Sequence, residues 1–429
     1  MSKQILKELS ELIQAQVITE ETAEKITTYY NSQPNQSSNR LFIVFGILGA
    51  LLVGMGIVLI IAHNWDTLPK AAKLGIGLLP LILGQTVSAY LVIKKSESKT
   101  WREGSATFLF FAVAIGISIV SQVYNIEGNF GRFLLVWMAL SLPIVYVLRS
   151  SMASLLFISG ITWYACEVGY FSYPQGHAWM YWLLLALILP FYYVEFFIGN
   201  NKNNFFYFHS WLLTLSVAIC LGVLIDKGGE LMMIAYMSLF SAFVIISEMK
   251  AFDTGRVISN AYLVIGSLGV IILLLTLSFD WYWNELTDTT LNAITTSIEF
   301  PVGIVITAAA SVLLFLLLRT KSVQDVNSKC FAFILFIVLF FIGLNSPAIS
   351  QLLINLLVLL FAVHTIRHGA QRSHLGVLNY GLLIITALIL CRFFDTDFSF
   401  VVRGLLFIAV GVGFFAVNYY MIQKRKKQA

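Results

Sequence analysis

Charge is what this chain has least of. Only 11% of its 429 residues are charged, against about a quarter in ordinary soluble domains, while 59% are hydrophobic. That balance excludes a solvated globular domain and sets aside the usual scaling of domain count with length. Cysteine is scarce as well. Cys166, Cys220, Cys330 and Cys391 all lie in apolar runs and form no CxxC pair. Neither a disulfide framework nor a zinc site is expected, and the four read as small buried hydrophobes. There is no phosphate-binding Walker A loop, no GxSxG elbow and no HExxH pair, so no catalytic residue, cofactor or metal is assigned. Basic residues do not interleave with aromatics on a soluble face, which argues against nucleic-acid binding. The first apolar run begins at Leu41, too late for a secretory signal, so no cleavable leader is expected.

What fills the chain instead is a train of apolar stretches from Leu41 to Ile422. A helix needs ~20 apolar residues to cross the hydrocarbon core. Fourteen stretches are drawn, over 41–61, 73–93, 105–123, 133–149, 151–170, 179–198, 206–225, 231–249, 258–278, 301–318, 331–345, 349–366, 375–391 and 401–422. The fold class is all-α, a polytopic transmembrane helix bundle of about 14 spans with a small N-terminal cytoplasmic helical hairpin. Residues 1–40 form that hairpin and its linker, 41–150 a first membrane segment, and 151–429 the remaining bundle. In the hairpin, Ile5, Leu9, Leu12 and Ile13 recur at helical spacing. Thr19 can cap a second helix, with Glu20 and Glu21 in its favourable first turn.

The layout can be checked against charge. With the N-terminus inside, 21 Lys and Arg fall in cytoplasmic segments and 6 in outer ones. The positive-inside rule demands this asymmetry, so an even span count and two cytoplasmic termini are expected. Lys424–Lys427 would lie against anionic headgroups. Membrane lipids are thus expected partners, and residues 1–30 are a possible docking piece for a protein.

Polar residues gather at the predicted outer rim. His63, Asn64, Trp65 and Asp66 follow the first span, reading either as a polar site at a cavity mouth or as a satisfied turn with an interfacial Trp. Gln122, Tyr124, Asn125 and Glu127 close the third span, and Arg132 lies five residues beyond Glu127, close enough to pair across the turn. Arg392, Asp395, Asp397 and Arg403 flank the last outer turn. They read as functional charges, because charge near the apolar slab is costly unless paired or wet, or as ion pairs pinning a hairpin. Glu167 and Glu195 stand near the ends of the fifth and sixth spans. Either can relay protons, bind a cation or snorkel to the interface. Asp280, Trp281, Tyr282 and Trp283 read as an aromatic anchor opening the longest outer segment. His364 and His368, four apart on one helix face, suit a metal, but no carboxylate or cysteine lies near in sequence. Lys329 counts among cytoplasmic loop charges.

Three motifs carry a resemblance. The first is Ile18-Thr19-Glu20-Glu21 before a helix ending Tyr29-Tyr30. The second runs from Gly54 to Ala62, then His63-Asn64-Trp65-Asp66, Pro69-Lys70 and Lys73. The third is Gln122-Val-Tyr124-Asn-Ile-Glu-Gly128 leading to Trp137, Pro143 and Arg149-Ser150. Over roughly residues 1–150 the chain resembles a bacterial family of predicted membrane proteins, domain of unknown function 2157. Its usual pattern has a small residue where His63 stands. The stretch from Arg392 to Phe407 is similar to the tail of longer members. The resemblance implies a membrane architecture and supplies no mechanism.

The composition and rim charges point first to a transporter-like protein, moving a solute or amphiphile through a polar cavity open to the outer face. A non-transporting scaffold or sensor is the alternative. A membrane enzyme acting on lipid-linked substrates is the third reading.

Overall fold

The computed structural model describes residues 9, 12, 13, 15, 17–32, 65–94, 98–172, 176–199, 203–226, 229–252, 257–288, 296–372 and 374–395, with scattered positions between 401 and 419. Among them every regular element is helical. The chain divides into two units, Met1–Ile76 and Gly77–Ala429.

In the first unit, helix α1 spans Glu20–Ser32. The Thr22 amide donates to Thr19 Oγ1 at 3.3 Å, so Thr19 supplies the cap its position predicts. Leu9 and Ala23 are buried. Most of the first hairpin helix and the predicted span 41–61 lie outside the described residues. A short 3-10 turn, Trp65–Thr67, precedes helix α2, Lys70–Lys94. Lys73 sits 5.4 Å over the Trp65 ring.

Two groups of helices build the second unit. The first group holds α3 (Lys99–Tyr124), α4 (Phe130–Leu148), α5 (Ser151–Cys166), α6 (Trp179–Tyr193) and α7 (Asn204–Leu221). Both α5 and α6 run on into π turns, Glu167–Phe171 and Val194–Ile198. Leu134, Met138, Phe157, Ile161, Tyr181 and Phe206 form its core. The second group holds α8 (Gly229–Ser247), α9 (Ala261–Thr276), α10 (Trp281–Asp288), α11 (Glu299–Leu318), α12 (Ala332–Gly343), α13 (Pro347–Gln371) and α14 (Leu375–Asp395). Its core includes Val270, Trp283, Phe333, Phe336, Ile354 and Val358. Leu221, Met232, Ala235, Phe243 and Tyr262 join the groups where α7 meets α8 and α9.

Glycine permits close helix approach. A Cβ on Gly269 of α9 would lie 2.3 Å from the Phe240 ring on α8. Small residues matter here because lipid offers no hydrophobic drive for helices to associate, so contact depends on tight packing. Outward faces remain apolar, as Leu79, Ile82, Leu83, Leu352 and Leu356 show. This is the pattern of helices solvated by hydrocarbon.

Ten helices among the described residues are long and apolar enough to cross a membrane: α2–α8, α11, α13 and α14. The predicted ninth span, 258–278, differs from expectation. There α9 and α10 are together long and apolar enough to cross a membrane, but they meet at a 73° bend. The eleventh, 331–345, is a shorter apolar helix, Ser328–Gly343. Most of 401–422 lies outside the described residues.

Candidate functional site

The bend between α9 and α10 gathers polar groups from three helices. The helical ladder stops at Thr276, leaving the next carbonyls without backbone partners along the axis. Side chains take them. Trp283 Nε1 donates to the Leu277 carbonyl at 2.7 Å. Gln351 Nε2 and Asn355 Nδ2, both on α13, donate to the Ser278 carbonyl at 3.3 and 3.2 Å. Ser278 Oγ donates to the Leu275 carbonyl and accepts from Arg392 Nη2, at 2.6 and 3.2 Å. The Arg392 guanidinium also lies 4.8 Å from the Phe279 ring centroid. Ser278 is fully buried, and Asn355 Oδ1 is a buried acceptor with no hydrogen-bond partner. Irregular backbone at membrane depth is tolerated only where protein or water satisfies it, and here protein side chains do so.

The aromatic triplet beside the bend corrects an expectation. Trp281 is exposed, yet Tyr282 and Trp283 are core residues. Tyr282 Oη donates to the Glu230 carbonyl at 3.0 Å. The Trp283 ring packs where a Cβ on Gly343 would stand, 2.5 Å away. The pair therefore clamps the break rather than forming an aromatic belt.

Lys329 corrects another. It is 3% exposed. Its Nζ donates to Thr365 Oγ1 at 3.2 Å and lies 5.5 Å over the Tyr380 ring. A loop charge in the sequence is a buried cation between α12, α13 and α14. Lys321 and Glu248 form a neighbouring ion pair at 2.7 Å. His364 and His368 share one face as their spacing predicts, with rings 6.4 Å apart.

Among the described residues the other predicted site residues stand on several elements, and Glu167 lies beside the α3–α4 turn, its Cγ 3.8 Å from where a Cβ on Gly131 would stand. Trp65 and Asp66 occupy the turn in the first unit, and Asp66 is exposed. Gln122, Tyr124, Glu127 and Arg132 are exposed around the α3–α4 connection. Glu127 and Arg132 form no ion pair with each other. Glu167 is half-buried, with Ser172 Oγ at 3.5 Å. Glu195 faces Lys99 at 3.7 Å. Asn64, Asp397 and Arg403, and the side chain of Asp395, lie outside the described residues. Sequence reasoning found Arg392 through its charge near a span end. It missed Ser278, Gln351 and Asn355. The available signal was Gln351 and Asn355, four apart and so on one face of an apolar helix.

The motifs of the first 150 residues have local structural explanations. Asn125 takes the left-handed conformation, φ 50°, that ends α3. Arg149 does the same after α4, at φ 45°. Ser150 caps α5, and its hydroxyl donates to Glu103 on α3. The same carboxylate accepts from the Ser151 and Met152 amides at 3.0 and 2.8 Å, placing an anion on the positive end of α5. Trp137 Nε1 ties α4 to the Phe110 carbonyl of α3 at 2.8 Å.

Residues 10–154 match the family model described as predicted membrane protein, DUF2157. The match takes in nearly all of the first 150 residues and does not reach the stretch from Arg392 to Phe407. No curated protein and no solved structure matches the chain.

Proposed function

We propose that this is a transporter-like protein of the bacterial cytoplasmic membrane, with about fourteen spans and both termini cytoplasmic. It moves a solute or amphiphile through a polar path open to the outer face. The observation supporting this is the broken helix α9–α10, where Gln351 and Asn355 donate to the Ser278 carbonyl and Arg392 donates to the Ser278 hydroxyl. Discontinuous helices are a common way for transporters to build a polar binding element near the middle of the bilayer. The basic split of 21 to 6 supports the orientation.

Alternating access requires the break to open. A Ser278→Cys variant, in a chain whose four native cysteines are replaced by alanine, should react with a membrane-impermeant maleimide added outside intact cells. Asp280→Cys, at an exposed position, provides the positive control. Reaction at position 280 with none at 278 would defeat transport. It would favour the second reading, a scaffold or sensor that binds a partner through residues 1–30. The densely filled cores of the two helix groups lend that reading its weight.

A further inference from the structure

The bend in α9 is built like a cation site, and the chain supplies the cation. The carboxyl end of α9 carries the negative end of its helix dipole, concentrated on carbonyls released at the break. Arg392 stands in the last turn of α14, where a basic side chain also complements the negative end of its own helix. Against the Arg392 guanidinium lie the Ser278 hydroxyl at 3.2 Å and the face of the Phe279 ring at 4.8 Å, and the carbonyl of the same Ser278 is held by Gln351 and Asn355. Asn355 Oδ1 adds a buried acceptor without a hydrogen-bond partner. Carbonyls, a hydroxyl, an amide oxygen and an aromatic face are the oxygen-rich and electron-rich donors that hold monovalent cations. Unwound carbonyls at half-helix carboxyl ends are where ion-coupled transporters coordinate sodium.

We infer that Arg392 is a tethered counter-cation, occupying at the α9–α10 break the place a monovalent metal ion would otherwise take. The inference deepens the transporter reading and rests on it for its biological sense: movement of substrate would need neither sodium nor potassium at this site. Arg392 is well suited to the role. Its guanidinium remains charged at any physiological pH and is more weakly hydrated than an ammonium, so it can lie against an aromatic face.

The test reads ion binding through stability and needs no substrate. The full chain is purified in detergent, and its thermal unfolding is followed by tryptophan fluorescence in sodium chloride, potassium chloride and choline chloride at equal ionic strength. The native chain should unfold at the same temperature in all three. Arg392→Gln, which removes the charge and keeps most of the length, should unfold several degrees lower in choline. Sodium or potassium should restore a substantial part of that loss, because an ion that binds only the folded state stabilises it by mass action. Arg392→Lys should remain insensitive to the cation. If Arg392→Gln does not survive extraction in choline, its recovery in sodium or potassium salts is the same readout.

Three results would overturn the inference: equal loss in every salt, no loss in any salt, or a native chain that is itself stabilised by sodium or potassium. Failure of transport would appear as an unreactive Ser278→Cys and would leave the salt response untouched, so the two ideas fail separately.

Discussion

The two helix groups of the membrane unit handle polarity in opposite ways. In α3–α7 the buried polar side chains are neutral, and the group's ion pair among the described residues, Lys99–Glu195, is a loose one at 3.7 Å. Ser216 bonds to Thr162 and Tyr181 at 2.6 and 2.7 Å, Ser210 bonds to Tyr192 at 3.0 Å, and His209 returns to the Phe205 carbonyl of its own helix. The half-buried carboxylate of Glu103 is absorbed by a helix amino end. In α8–α14 the chain buries Lys329 and Glu299, partly buries the Lys321–Glu248 pair, and brings Arg392 to a broken helix. Neutral hydroxyls can sit in hydrocarbon at little cost once they bond to a neighbour. Charges cannot, and they are retained where they do something. The lesson concerns location. The family match ends at residue 154, yet the costly features lie beyond residue 229. The matched third explains how the scaffold is assembled, and the unmatched part carries the groups that need a function.

Three substitutions can break or sharpen that contrast. The largest effect is expected from Trp283→Ala in the second group. It removes a fully buried indole and leaves the Leu277 carbonyl at the break without its donor. The expected loss is about 3–5 kcal/mol, seen as a drop in unfolding temperature in detergent and as new proteolysis near residues 277–288. Glu103→Ala in the first group strips three donors of their acceptor at the start of α5. A loss of about 1–3 kcal/mol is expected, and Glu103→Gln should recover part of it in the same assay. Ser216→Ala should cost least, roughly 1 kcal/mol, because hydrogen bonds between membrane helices average about 0.6 kcal/mol each. Thr162 also keeps its bond to the Ile158 carbonyl. If Ser216→Ala proved as damaging as Trp283→Ala, the first group could no longer be called the passive one.

Helix positions were legible because a bilayer imposes one length on every span and tolerates few charges within it. From the second predicted span to the thirteenth, each stretch coincides with an apolar helical segment, with ends shifted by a few residues. The 73° bend was not legible. Asp280-Trp-Tyr-Trp has the composition of an interfacial belt, and the same amphipathic rings serve equally well where freed carbonyls need indole and phenol donors. The site was half legible for a similar reason. Arg392 announces itself by charge, whereas Ser278 and Asn355 gain meaning only when three helices distant in sequence are brought together. Lys329 misled because residues flanking an apolar run look identical whether they face water or turn inward.

The connection between α4 and α5 has a consequence for how the protein is made. Arg149 and Ser150 alone separate the two helices, and the left-handed turn at Arg149 commits the chain to reverse at once. Neither helix can wait in the insertion machinery for a loop to be threaded past it. They must enter the bilayer as one hairpin, with the arginine at its tip held back by its charge. Because α3 is synthesised before α5, the Glu103 carboxylate is in the chain before the amides it accepts at the start of α5. Assembly would thus begin by docking a paired insert onto an existing helix, and a longer connector here should slow biogenesis before it weakened the finished protein.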